Sequence, residues 1–234
     1  MAKAQAAKKT NWFAIWVTVG VVIALVLVTV LVVTLNNAAA PKPLPTEVNT
    51  PSASNIDAET GAIHVGEGSD SLATYVDFMC PICGQFEETY GSEIQGLVDD
   101  GSITLDIHPI SILDSQSQNT QFSTRAANAA YCVAVADADK SLPFLQQMFA
   151  NQPTEGSKGL TNNEILGIAS DVGVSGIDSC VNDGTYAGYV TEMTAKTPIQ
   201  PGSTGIGTPT IAVNGEVIAN SQLPPAGQLS TLFE

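Results

Sequence analysis

The chain has 234 residues, a formal net charge of −15 and four cysteines. That length suits one domain of moderate size with additional segments. All 23 acidic residues follow residue 46, so the part after residue 35 sets five basic residues against 23 acidic ones, a net −18. Such a surface excludes nucleic acid and anionic lipid as partners of the folded part, and is otherwise a solvated, soluble face.

Residues 1–11 hold Lys3, Lys8 and Lys9, and residues 12–35 then run for 24 positions without a charge. At 1.5 Å rise per residue such a segment is predicted to be one transmembrane helix, with membrane lipid as its partner. Trp12 and Trp16 fall where an aromatic belt would lie, and the lysines predict a cytoplasmic N-terminus with everything after the helix exported. The competing reading is a cleaved signal peptide, whose apolar region is shorter. Its one small-residue run, Ala38-Ala39-Ala40, leads into Pro41, a poor residue after a cleavage site. Either way the remainder lies outside the cytoplasm, where disulfides persist. Residues 36–55 contain Pro41, Pro43, Pro45 and Pro51 among small and polar residues, and are predicted to be a semi-extended spacer.

The folded domain is expected over residues 56–234. Residues 63–65 suggest a short first strand, and residues 72–79 a buried strand that runs into a helix over residues 80–98. In that helix Cys83, Phe86, Tyr90, Ile94 and Leu97 fall at spacings of three and four, one apolar stripe. Residues 103–107 alternate as a half-exposed strand before Pro109. Residues 114–197 are mostly helical in pattern, too long for a loop and predicted to be a packed helical insert. Within them Thr161 and Glu164 form a capping box, with Leu160 and Ile165 as its hydrophobic staple. Asn214-Gly215 predicts a two-residue hairpin, and Pro224-Pro225 a terminal helix using Leu229, Leu232 and Phe233.

The chemistry centres on Cys80-Pro81-Ile82-Cys83. A helix N-terminus has unpaired N–H groups and a positive dipole end, and both favour a thiolate over a thiol. A lowered thiol pKa makes a cysteine nucleophilic near neutral pH. Cys80 is therefore expected to be exposed at the helix tip, with Cys83 one turn in and able to bridge to it. Pro81 suits the first turn because no N–H is needed there. A zinc half-site would need a second ligand pair, and neither Cys132, Cys180, His64 nor His108 supplies one at a finger-like spacing, so no metal is expected. A purely structural bridge over so short a loop gains little. Redox chemistry is the reading that remains favoured. Both histidines are read as incidental.

A strand entering Cys80-Pro81-Ile82-Cys83, a helical insert, and Gly207-Thr208-Pro209-Thr210 before a hairpin strand together resemble the DsbA-like branch of the thioredoxin-fold superfamily. The resemblance covers about residues 60 to 234. It implies an α/β thioredoxin fold with the insert at residues 114–197, Cys80 reactive and Cys83 sheltered. It also implies a cis Thr208–Pro209 bond against Cys80, with Thr208 offering its backbone to a substrate peptide. Two departures stand out. Thr74 occupies the position where similar proteins often bury an acid that moves protons for the second cysteine; Asp77, nearer the pair, is expected closer to the surface by strand alternation. Ile82 stands where strongly oxidising members have histidine.

Cys132 and Cys180 lie 48 positions apart on predicted helices of the insert. An unpaired thiol is a liability in an oxidising compartment, so they are expected to bridge each other, as a second bridge in some similar Gram-positive proteins supports. Two separate buried thiols, or a relay to Cys83, are the other readings.

The function expected is a membrane-tethered extracytoplasmic thiol–disulfide oxidoreductase, monomeric and free of cofactors, that introduces disulfides into exported, reduced or unfolded proteins. The resemblance implies a quinone-coupled membrane reoxidant of the DsbB or vitamin K epoxide reductase-like type. The same residues could serve a reductase or an isomerase. A tethered partner-binding module with an inert bridge is the reading from another class, separated from the first by replacing Cys80 with serine.

Overall fold

The computed structural model describes residues 12–38 and 43–233; the expectations for residues 1–11 and 39–42 fall outside the described residues. The chain divides at Lys42 into two units. The first is the helix α1, Trp12–Ala38, 27 residues that include no charged side chain. The segment expected to be a transmembrane span is thus helical. Among the described residues, however, no helix is long and apolar enough to cross a membrane.

The second unit is built on a five-stranded sheet in the order β1-β3-β2-β4-β5. Its strands are β1 Ile63–Val65, β2 Asp70–Val76, β3 Ile103–Pro109, β4 Thr210–Val213 and β5 Glu216–Ile218. β2 and β3 run parallel, joined by the helix α2, Pro81–Asp99. β1 pairs antiparallel with β3, and β4 pairs antiparallel with β2 and with β5. Alternation places Leu72, Thr74 and Val76 of β2 on the buried face. α2 covers that side with Cys83, Phe86, Tyr90 and Ile94, all buried. Burying a side chain of Phe or Ile size stabilises by about 1.5–3 kcal/mol, so the stripe accounts for how the helix is held.

Between β3 and β4 the chain forms five helices: α3 Phe122–Ala136, α4 Ser141–Ala150, α5 Asn162–Asp171, α6 Asp178–Asp183 and α7 Ala187–Ala195. They share one apolar core with the sheet, in which Phe122, Tyr131, Phe144 and Tyr189 are fully buried alongside Leu72 and Ile107. The expected capping box opens α5: Thr161 Oγ1 accepts from Glu164 N–H at 3.3 Å, and Glu164 accepts from Thr161 N–H at 2.7 Å. The expected hairpin also forms, with Asn214 at φ 51° and Gly215 at φ 83°, the paired positive angles of a type I′ turn.

Two expectations give way to tertiary contacts. Part of the predicted spacer, from Pro43 onward, lies folded against the insert. Asn49 Nδ2 donates to the Thr185 carbonyl at 3.2 Å, and Pro51 is buried. At Gly188 an added β-carbon would stand 2.2 Å from the Glu47 carbonyl oxygen, so only glycine lets that strand of chain approach. The predicted terminal helix shrinks to a 3-10 turn, Leu229–Phe233. The residues before it are held instead by α2: Tyr90 Oη donates to the Pro224 carbonyl at 2.6 Å, and Glu93 accepts from Gly227 N–H at 3.0 Å and from Leu229 N–H.

Candidate active site

β2 ends at Val76, and a short turn delivers Cys80 to the start of α2. The turn is closed by Cys80 N–H donating to the Asp77 carbonyl at 2.9 Å. Cys80 is the N-cap of α2 in extended conformation, with Pro81 in the first turn. Pro81 costs nothing there, because the first N–H groups of a helix have no intrahelical partner. Cys83 follows one turn in, fully buried. Both sulfurs are present as free thiols.

The two thiols are driven apart electrostatically. Cys80 is lowered to about 6, chiefly because the Cys83 thiol donates to its sulfur, with the Thr208 side chain and the N–H groups of Cys83 and Ile82 adding to this against the opposing effect of burial. Cys83 is pushed well above its ordinary value, first by burial and then by the neighbouring Cys80. One sulfur is therefore a thiolate near neutral pH and its neighbour holds a proton for it.

The Thr208–Pro209 bond is cis and packs at this centre. The Thr208 carbonyl lies 3.5 Å from Cys80 Sγ, a contact that serves the protonated thiol as donor and is lost to the thiolate. Ile82 stands 51% exposed beside it. A groove of about 180 Å³ runs from Ile82 past Phe86 and Tyr90 to Pro209 and Leu223, so the redox turn and the cis-proline turn share one apolar surface.

Two placements differ from the sequence expectation. Cys80 is not exposed at the helix tip; 6% of its surface is accessible, because the Thr208 turn covers it. Asp77 is not near the surface but fully buried. Strand alternation stops deciding orientation at Val76, where β2 ends and the turn begins. The Asp77 carboxylate accepts from Met79 N–H and from Leu113 N–H, both at 2.9 Å, tying the redox turn to the segment after β3. Burial raises it to about 6 against those hydrogen bonds. Thr74 is buried in β2 opposite Ile211, as a pleat-facing residue of the sheet.

Cys132 and Cys180 are bridged, with Cα atoms 6.0 Å apart, joining α3 to α6. The histidines lie elsewhere. His108 stacks on Tyr75 at 4.0 Å and is lowered to about 4 by burial, and His64 Nδ1 meets Asp106 at 2.6 Å. Both line a cavity that includes neither redox cysteine. Among the described residues no group of three or more His, Cys, Asp or Glu is placed to hold a metal.

Sequence reasoning missed Gln152, in the loop after α4. Its Nε2 donates to the Cys80 carbonyl at 2.8 Å and to the Phe78 carbonyl at 3.1 Å. No local pattern marks it, since a glutamine after a helix is ordinary until the insert folds against the redox turn.

The geometry has counterparts among known proteins. The Thioredoxin family profile matches residues 60–227. The structure of DsbA from Mycobacterium tuberculosis in its reduced form superposes with a TM-score of 0.60 at 28% identity, covering 73% of this chain and 96% of that one. The reduced form of the disulfide bond oxidoreductase DsbG from the same organism gives 0.58 at 27% identity, covering 78% and 90%. In sequence, the serine/threonine-protein kinase PknE of Mycobacterium tuberculosis (strain ATCC 25618 / H37Rv) is 32% identical over 167 residues, 67% of this chain and 29% of PknE. This chain spans less than a third of the length of that relative.

Proposed function

This chain belongs to the thioredoxin family, in its DsbA-like form, and from that premise we propose that it is an extracytoplasmic protein thiol–disulfide oxidoreductase. It works in the oxidase direction through Cys80 and Cys83. The observation that carries the reading is the placement of Cys80 as N-cap of α2, against the cis Thr208–Pro209 turn, with buried Cys83 donating to its sulfur. The oxidoreductases DsbA and DsbG of Mycobacterium tuberculosis, matched above, support it.

In the oxidised enzyme a substrate thiolate attacks Cys80 Sγ. The Cys80–Cys83 bond breaks, Cys83 leaves with the electron pair and takes up a proton, and a mixed disulfide joins Cys80 to the substrate. A second substrate thiolate then attacks the substrate sulfur of that bond and releases Cys80 as thiolate. The substrate has lost two electrons to the enzyme, which now holds the dithiol. A low leaving-group pKa at Cys80 speeds the second step and favours the reduced enzyme, which is what an oxidant requires. The Thr208 backbone and the groove from Ile82 to Leu223 would hold the substrate chain while this occurs.

The electrons pass on to a membrane reoxidant of the quinone-coupled type. α1 would span the bilayer with the N-terminal lysines in the cytoplasm, and residues 36–42 would lead to a domain that begins at Pro43. Sharing the membrane with the reoxidant raises the effective concentration of the two. The partners are exported reduced proteins, and the domain acts as a monomer. No cofactor enters any step.

The test is the equilibrium reduction potential of the Cys80–Cys83 pair against glutathione. A value near −120 mV, that of DsbA, is expected; one near −270 mV, that of thioredoxin, would reverse the direction of electron flow. The tether is tested by alkaline extraction of membranes, after which the chain should stay in the pellet.

A further inference from the structure

The contacts of Gln152 assign a role beyond the cysteines themselves. Gln152 N–H caps α4 by donating to the Phe149 carbonyl at 3.1 Å, and the Phe149 ring packs on Phe78 at 5.2 Å. The end of α4 is thereby docked on the redox turn. From there the Gln152 amide spends its donors on the carbonyls of Phe78 and Cys80, which flank Met79. Its Oε1 is turned to α2: a β-carbon on Gly84 would lie 2.3 Å from it, so any side chain there must displace the glutamine. Gly84 N–H also donates to the Cys80 carbonyl, at 3.2 Å. That one carbonyl thus takes a donor from its own helix and another from the insert.

We propose that Gln152 is a positioning residue for the redox centre, holding the Cys80 carbonyl so that Cys80 Sγ points at the N–H groups of Ile82 and Cys83, and that residue 84 is glycine to admit it. The proposal rests on Cys80–Cys83 being the exchange site. Cys80 is the cap of α2, so its peptide plane is fixed on one side only by the helix. Without the amide the carbonyl keeps only the longer bond from Gly84 N–H, at 3.2 Å, and the plane can tilt so that Sγ drifts from the donors that favour its thiolate. A side chain that merely fills space would be replaced by methionine without effect, because Met matches glutamine in length and lacks the donors.

The test uses the reduced full-length chain in detergent and reads the rate of Cys80 alkylation by iodoacetamide against pH, with thermal unfolding as a folding control. Wild type should titrate with a midpoint of about 6. Gln152→Met and Gly84→Ala should each raise the midpoint and slow alkylation at pH 6 by about twofold, what a half-unit rise gives. The double variant should be no slower than either alone, because both remove the same contact. If Gly84→Ala does not fold, Gln152→Glu replaces it; losing the donors and adding a charge, it should slow alkylation more than Gln152→Met. A fast wild-type Cys80 with Gln152→Met titrating unchanged, or effects that add in the double variant, overturns this inference alone. A wild-type Cys80 that alkylates like an ordinary thiol overturns the exchange site, and the inference with it.

Discussion

The two cysteine pairs of this protein share one compartment and one domain, and differ in everything that decides reactivity. Cys80 and Cys83 are three apart at the start of α2, free as thiols, with donors aimed at one sulfur and apolar burial around the other. Cys132 and Cys180 are 48 apart and bridged between α3 and α6, Cys132 from the interior of its helix. A bridge across a long loop removes much freedom from the unfolded chain; one across three residues removes little. The long pair is suited to stability and the short pair to chemistry, where a bond that costs little to open can cycle.

Replacing Cys80 with serine should break the comparison most severely. Oxidation of a reduced model substrate should fall to the uncatalysed level, while the denaturation midpoint of the chain stays close to that of the reduced wild type. Cys132→Ser with Cys180→Ser should do the reverse. Unfolding in guanidinium chloride should show a loss of about 3–4 kcal/mol, with thiol exchange by the folded protein retained. A double variant that loses exchange while still folded would merge the two pairs into one relay.

Asp77→Ala probes what holds the redox turn. It leaves the N–H groups of Met79 and Leu113 without their acceptor in a buried site, and chemical denaturation should show a cost of about 2–3 kcal/mol. Protonation sharpens the point. A carboxyl raised from 3.8 to about 6 stabilises the fold fully below 3.8, and that stabilisation is lost as pH rises through 6. Asp77→Asn, whose amide cannot ionise, should therefore lose less stability than wild type between pH 4 and 6.

For Cys80 the sign is opposite. Its thiol is lowered from 9.0 to about 6, so the reduced fold gains stability above 9.0 and loses it as pH falls through 6. The oxidised protein has no thiol there. The stability advantage of reduced over oxidised protein should shrink from pH 8 to pH 5, and Cys80 alkylation should slow by about tenfold over the same range. A flat profile would remove the electrostatic difference between the pairs. The smallest effect belongs to the insert: Thr161→Ala removes one half of the α5 capping box and should cost about 1 kcal/mol by thermal unfolding, without altering exchange.

Features carried by neighbours along the chain were legible before any tertiary contact was known. The stripe of α2, the capping box at Thr161, the Asn214-Gly215 hairpin and the placing of Cys80 before a helix start are set within a few residues, where spacing and backbone preference suffice. The bridge between Cys132 and Cys180 was expected from the cost of an unpaired thiol in an oxidising compartment, with separate thiols or a relay to Cys83 as the other readings, and the two sulfurs are joined. The tertiary structure alone decided the burial of Cys80 and Asp77, the folding of residues after Pro43 against α7, the reduction of the terminal helix to a turn, and the meeting of Gln152 with Cys80. Each depends on groups brought together from distant positions: Thr208 with Cys80, Leu113 with Asp77, Glu47 with Gly188, Glu93 with Leu229. Periodicity reports which face of an element is apolar, and it falls silent where the element ends. The redox turn lies at such an end, so its chemistry was written locally while its geometry was set by what folds over it.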